Sequence, residues 1–195
     1  MSFLHCDPLP PPSNLSMFFW LLLVALVGLP ISGLVAWALK SDTNAKIAII
    51  LSTIFSIVGA VGAALALRFP GTVTSVPSWL SSALTLDGLS ALFSLLLWIV
   101  AALAAVFSLP YLARESAHYH PRMTVLKTTL FLFGMQGVLL AASPMVFLFF
   151  WETMSLSSFF LVMSDRSASS VKAALLYFIM THLGAGALLA GFGVL

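Results

Sequence analysis

Charge is what this chain has least of. Of its 195 residues, 8 are Lys or Arg and 6 are Asp or Glu, together 7%. Soluble domains carry about 25%, so a soluble globular class is excluded. Disorder is excluded too, because it needs low hydrophobicity and high net charge, and 61% of this chain is hydrophobic. A net charge of +2 from scattered basic residues makes no patch for nucleic acid. Cysteine is nearly absent. Cys6 alone cannot form an internal disulfide or a multi-cysteine zinc site. There is no glycine-rich phosphate loop and no paired histidine spacing for haem, so no cofactor is expected in this chain. His118 and His120 with Glu115 are weak as a metal site. What is present is long apolar sequence, and a polytopic membrane protein is the class left.

A bilayer core of about 30 Å needs about 20 apolar helical residues. Six stretches qualify: Leu15–Leu39, Lys46–Leu67, Leu86–Leu112, Thr124–Ala142, Pro144–Ser164 and Ser170–Leu195. They are continuous rather than alternating, so an all-α helical bundle is expected and a β-barrel is not. The breaks have physical causes. Lys40-Ser41-Asp42-Thr43-Asn44 is too polar for lipid, and Arg68-Phe69-Pro70-Gly71 stops a helix. Ala142-Ser143-Pro144 carries no charge, but Pro suits a first helical turn. Without a break there, about 40 residues would have to span twice.

Basic residues give the orientation. Lys40, Lys46, Arg114, Arg122, Lys127, Arg166 and Lys172 follow or border the odd-numbered spans, and Arg68 alone is opposite. The N-terminus is therefore expected outside the cytoplasm, in a cell inner (cytoplasmic) membrane. The organisation reads as an extended tail over 1–14, three spans over 15–112, a cytoplasmic loop over 113–123 and three spans over 124–195. The tail, with Cys6 and four prolines, lacks the basic start of a signal peptide. Gly191-Phe192-Gly193-Val194-Leu195 is still apolar, so the chain is expected to be a fragment or a shortened reading frame.

Most charges sit at span ends. Lys127, a few residues into the fourth span, can snorkel inward, and Asp87 lies at the outer end of the third. Glu152 cannot be placed that way. It lies eight residues beyond Pro144, about 12 Å into the core. It is either a permanently protonated carboxyl bonded to a neighbouring helix or a proton or ion carrier. Ser155, at i+3, shares its face, and Ser157 and Ser158 flank it. His182 lies about 15 Å beyond Lys172, at similar depth. Antiparallel neighbours would let Glu152 and His182 approach. His182 is either a relay or a neutral histidine bonded to a carbonyl or serine. Thr181, Gly184, Ala185 and Gly186 beside it permit close helix approach or leave room for water. The proton-pathway candidates are thus Glu152 and His182, with Ser155 and Thr181 in support.

These residues carry a resemblance. Phe147 to Val162, with Trp151-Glu152-Thr153-Met154-Ser155-Leu156-Ser157-Ser158, resembles the fifth-helix motif of the antiporter-like membrane subunits of complex I, Mrp-type antiporters and membrane-bound hydrogenases. Lys172-Ala173-Ala174 through Gly184 resembles their sixth helix, and Asp87-Gly88-Leu89-Ser90-Ala91-Leu92-Phe93 the opening of their third. The wording is most similar to the hydrogenase-4 component B and formate hydrogenlyase subunit 3 branch. The resemblance implies a fold of about fourteen helices built on two inverted repeats, of which this chain holds six. It implies that Glu152 modulates a lysine on a seventh helix absent here, and that His182 adjoins a hydrated axis. It implies a proton-translocating, non-catalytic membrane subunit of a hydrogenase or NADH:quinone oxidoreductase-like complex. Its partners would be other membrane subunits, a soluble redox arm, and protons or sodium. A cation/proton antiporter subunit without redox coupling, or a structural membrane subunit, is the alternative.

Overall fold

The computed structural model describes residues 14–38, 42–68, 78–114, 120–165 and 167–194. The expectations for the proline-rich tail with Cys6, for Lys40, and for Glu115, His118 and Arg166 lie outside these. Six long helices occupy the six predicted stretches: α1 (Asn14–Ala38), α2 (Asp42–Arg68), α4 (Gly88–Arg114), α5 (Pro121–Leu140), α6 (Pro144–Val162) and α7 (Ala168–Val194). All six are long and apolar enough to cross a membrane. One turn of helix, α3 (Ser78–Ser81), precedes α4, and a 3₁₀ turn (Met163–Asp165) closes α6. The chain is an all-α, multi-pass membrane protein.

The boundaries differ from expectation where backbone chemistry outweighs hydropathy. α2 begins one turn early, at Asp42, since polar residues suit the water-facing first turn of a helix. α5 begins at Pro121 rather than Thr124, because Pro fits the first helical position. The turn at Ala142-Ser143-Pro144 forms as expected. The Ser143 side chain accepts a hydrogen bond from the Val146 amide at 3.4 Å and caps α6.

That turn is tied to the segment before α4. Thr85 donates its amide to the Leu140 carbonyl (2.7 Å), and Ala142 donates to the Ala83 carbonyl (2.9 Å). The result is a single antiparallel bridge, Leu84 to Ala141. Asp87 caps α4, its Oδ1 accepting from the Ser90 amide at 2.6 Å. That bond favours the ionised form and holds the Asp87 carboxyl below its ordinary value. The folded value is the depressed one, so the contribution is complete above the unfolded pKa and disappears as pH falls through the folded value. Asp87→Ala is expected to cost about 1 kcal/mol near neutral pH. Thermal unfolding of both proteins in detergent should converge at the acid end if the carboxylate is the cause.

Packing is inverted relative to a soluble protein. On α2 the stripe Ile47, Ile50, Ile54, Ile57 and Val61 is exposed, while Ala48, Ser52, Ser56 and Ala63 are buried. On α1, Val24, Val27, Ile31 and Leu34 face outward in the same way. Lipid tails are as apolar as these side chains, so burying them gains little. Helices associate instead through small residues that let backbones approach. α2 packs on α1 and α4, α5 on α1 and α6, and α7 on α6. The main core centres on Phe19, Leu22, Leu29, Trp98, Leu140 and Phe150. Gly134 makes the close backbone approach on the α5–α6 side: a Cβ there would lie 2.7 Å from the Met154 amide nitrogen and 2.8 Å from its Cα.

Candidate functional site: a carboxyl–imidazole pair at membrane depth

α6 and α7 pack together, joined by the short connection through the 3₁₀ turn. This brings Glu152 and His182 to one level. Glu152 Oε2 lies 3.2 Å from His182 Nε2, and the two side chains are 35% and 37% exposed. The pair is therefore formed but open along one flank.

The other imidazole nitrogen fixes how protons can be distributed. His182 Nδ1 lies 3.0 Å from the Phe178 carbonyl one turn back. A carbonyl only accepts, so Nδ1 carries hydrogen. In neutral histidine Nε2 is then a lone pair, and a hydrogen bond to it requires a protonated Glu152. If histidine is charged, Nε2–H faces an ionised Glu152. Either way the 3.2 Å gap is bridged by one proton, and the forms differ only in which atom holds it. Phe178 also lies against the imidazole, centroid to centroid 3.9 Å, and Phe159 packs on Phe178. These rings restrain the imidazole from swinging away.

The two supporting candidates are close in sequence but turned elsewhere. Ser155 is buried, and its hydroxyl donates to the Glu152 backbone carbonyl at 3.2 Å, not to the carboxyl. Thr181 donates to the Phe178 carbonyl at 3.0 Å. Both act as back-bonding groups on their own helices. A Cβ added at Gly184 or Gly186 would meet nothing within 4 Å, so among the described residues these glycines make no close helix contact and leave space.

Lys127 departs most from expectation. It lies seven residues into α5 and reaches across to the end of α6. Its Nζ donates to the Phe160 carbonyl (3.0 Å) and to Ser164 Oγ (2.8 Å). A cation at a helix C-terminus complements the helix dipole, and Lys127 adds a second donor to a carbonyl that the Ser164 hydroxyl also reaches, at 2.9 Å. Lys127→Met should therefore lower stability by about 1 kcal/mol, read as a fall in Tm.

Sequence reasoning also passed over Gln136. It is fully buried, and its Nε2 donates to Ser94 Oγ at 2.8 Å. The signal was an amide in mid-span between Gly134 and Gly137. Among the described residues no cluster of three or more His, Cys, Asp or Glu is placed to hold a metal.

Six helices long and apolar enough to cross a membrane, with a carboxyl–imidazole contact between two of them, define a multi-pass integral membrane protein. Comparison with known proteins narrows the class. The family described as NADH:quinone oxidoreductase/Mrp antiporter, TM, matches residues 141–195, the segment that holds both α6 and α7. The antiporter subunit mnhA2 of Staphylococcus saprophyticus is 38% identical over 108 residues, covering 55% of this chain and 13% of that protein. Its namesake in Staphylococcus aureus strain MRSA252 is 36% identical over 124 residues, 60% of this chain and 15% of that protein. In strain JH9 the identity is 34% over 125 residues, 61% and 15%. The matched part thus spans only 13 to 15% of these relatives. The chain is similar to Mrp-type antiporter membrane subunits, and all three of these relatives carry the name antiporter subunit.

Proposed function

We propose that this chain is part of a cation/proton antiporter-type membrane subunit, and that the Glu152–His182 pair holds a proton in transit. The 3.2 Å carboxyl–imidazole contact between α6 and α7 carries the reading. Intramembrane ionisable groups in contact mark ion pathways, and imidazole can take up and release a proton near neutral pH. The subunit performs no bond chemistry itself. It works with other membrane subunits, in a cytoplasmic membrane, with the end bearing Lys46, Arg122, Lys127 and Lys172 toward the cytoplasm. Three mnhA2 relatives favour the antiporter over a subunit driven by a soluble redox arm.

The second reading is a proton-translocating subunit of a hydrogenase or NADH:quinone oxidoreductase-like complex. The matching family's description names both an oxidoreductase and an antiporter. The full-length protein, in vesicles with its native partners and no oxidisable substrate, distinguishes the two. Sodium-dependent proton flux is expected. Flux that appears only when a reduced substrate is supplied would reject the antiporter reading.

A further inference from the structure

α4 and α5 run antiparallel and are tied together by hydrogen bonds at one end. There Gln136 Nε2 donates to Ser94 Oγ at 2.8 Å, and Thr85, just before α4, donates to the Leu140 carbonyl at 2.7 Å. Toward the other end, where α4 finishes and α5 begins, a crevice lies between them, with α2 as its back wall. It encloses a cavity of about 110 Å³ and adjoins an open groove of about 480 Å³ along α4. Ala104, Ser108 and Tyr111 line both, so the two spaces are continuous.

The crevice is apolar despite the hydroxyls along it. Ser52, Ser108, Thr124 and Thr129 line it, but each donates to a carbonyl of its own helix or cap: Ala48, Ala105, His120 and Leu126 respectively. The surface left facing the space is almost wholly carbon. From Tyr111 to Ala101 is ten residues of α4, about 15 Å. That is the depth of one leaflet in a hydrocarbon core about 30 Å thick. The enclosed part is too narrow for another helix, which is about 10 Å across. The mouth, by contrast, is basic. α2 and α5 both begin at this end. Ile49 on α2 and Val125 on α5 line the cavity and belong to one buried cluster. Three residues earlier, one turn nearer the mouth on the same faces, stand Lys46 and Arg122. Tyr111, exposed near the end of α4, adds a phenol that can donate. Two cations above a slender apolar slot complement an amphiphile with an anionic head.

We infer that this crevice binds an anionic phospholipid. One acyl chain lies between α4 and α5, its inner carbons in the cavity and the rest along the open groove. The phosphate sits at Lys46 and Arg122, with the Tyr111 hydroxyl as a further donor. Basic pockets between membrane helices hold anionic head groups in this way. No residue of α6 or α7 lines the crevice among the described residues, so the site stands independently of the proton-holding pair.

The test uses the full-length protein with its native partner subunits, in nanodiscs of phosphatidylcholine. Phosphatidylglycerol with a diazirine at the end of one acyl chain is added as a minor component. A parallel sample receives phosphatidylcholine bearing the same diazirine. After irradiation the labelled residues are mapped by mass spectrometry. Labelling within 101–111 and 124–132 is expected to be at least about fivefold stronger from phosphatidylglycerol, the effect of one cation on an anionic head group. Ile50, Ile54 and Ile57, on the exposed face of α2, should take both probes alike. Lys46→Gln combined with Arg122→Gln should bring the crevice ratio down to that of the exposed face. Ala104→Leu, which fills the crevice and keeps both cations, should cut crevice labelling severalfold. If it fails to reach the membrane, Ser108→Val replaces it with the same expectation. Equal crevice labelling by the two probes in the parent protein means ordinary boundary lipid and overturns the site. Labelling of the exposed face alone means that the crevice is empty or covered by a protein partner, and overturns it equally.

Discussion

Glu152→Gln in the full-length protein is expected to cut proton flux by roughly a hundredfold, the lower range for removal of one positioned proton-transfer group. Membrane abundance and Tm should stay near the parent values. Gln has the same length as Glu and its amide can donate to His182 Nε2, so the α6–α7 contact survives. What it loses is the ability to give up or regain the bridging proton. His182→Gln should have a similar effect on flux, and the double substitution should be scarcely worse than either single one, because the two groups share one proton. The opposite pattern decides for a structural pair: a variant that folds poorly but moves protons at the parent rate per folded molecule. Loss of flux with a normal Tm cannot arise from mere pinning of helices.

The second large effect concerns shape rather than charge. Gly134→Leu should destabilise the protein by about 3 kcal/mol or more, at the upper end of overpacking costs, and depress its level in the membrane. Even the first added carbon would meet Met154 backbone atoms at 2.7 and 2.8 Å. Backbone cannot rotate aside as a side chain can, so α6 must move bodily. Glu152 is two residues from Met154, so the shift also opens its 3.2 Å contact with His182. Gly184→Ala and Gly186→Ala are the controls. Nothing lies within 4 Å of a Cβ at either, and both should gain slightly in helix propensity. Thermal unfolding of the three variants in detergent measures the contrast. A Gly134 variant as stable as the Gly184 variant would show that α5 and α6 are not held this closely.

The spans were legible because lipid imposes a length and an apolar composition, and the six stretches stand out on those grounds alone. The break before Pro144 was legible from proline chemistry. The depth match of Glu152 and His182 followed from counting residues at a fixed helical rise. Rotation was harder to read. A helix apolar all round carries no polar face to say which side meets its neighbour. Ser155 and Thr181 were therefore placed correctly in sequence, yet their hydroxyls turn to backbone carbonyls. Gly134 and Gly137, not Gly184 and Gly186, make the close approach, since partner choice rather than residue type decides which glycines are needed. Lys127 read as a cation reaching for water, but the end of α6 offered acceptors nearer than the interface. The compartment faced by each end was read from charge alone, and helix packing is indifferent to it.

The open flank of the Glu152–His182 pair, about one-third exposed on each side chain, makes the site answerable to whatever surface closes over it. A covering group that favours one protonation state raises the occupancy of that state. By thermodynamic linkage the proton then changes the grip of that cover by the same factor. Tightening and loosening of the cover would load and unload the proton, and proton occupancy would report back as a change in how firmly the neighbouring surface is held. On the proposed reading, the flank is a mechanical input as well as a chemical site.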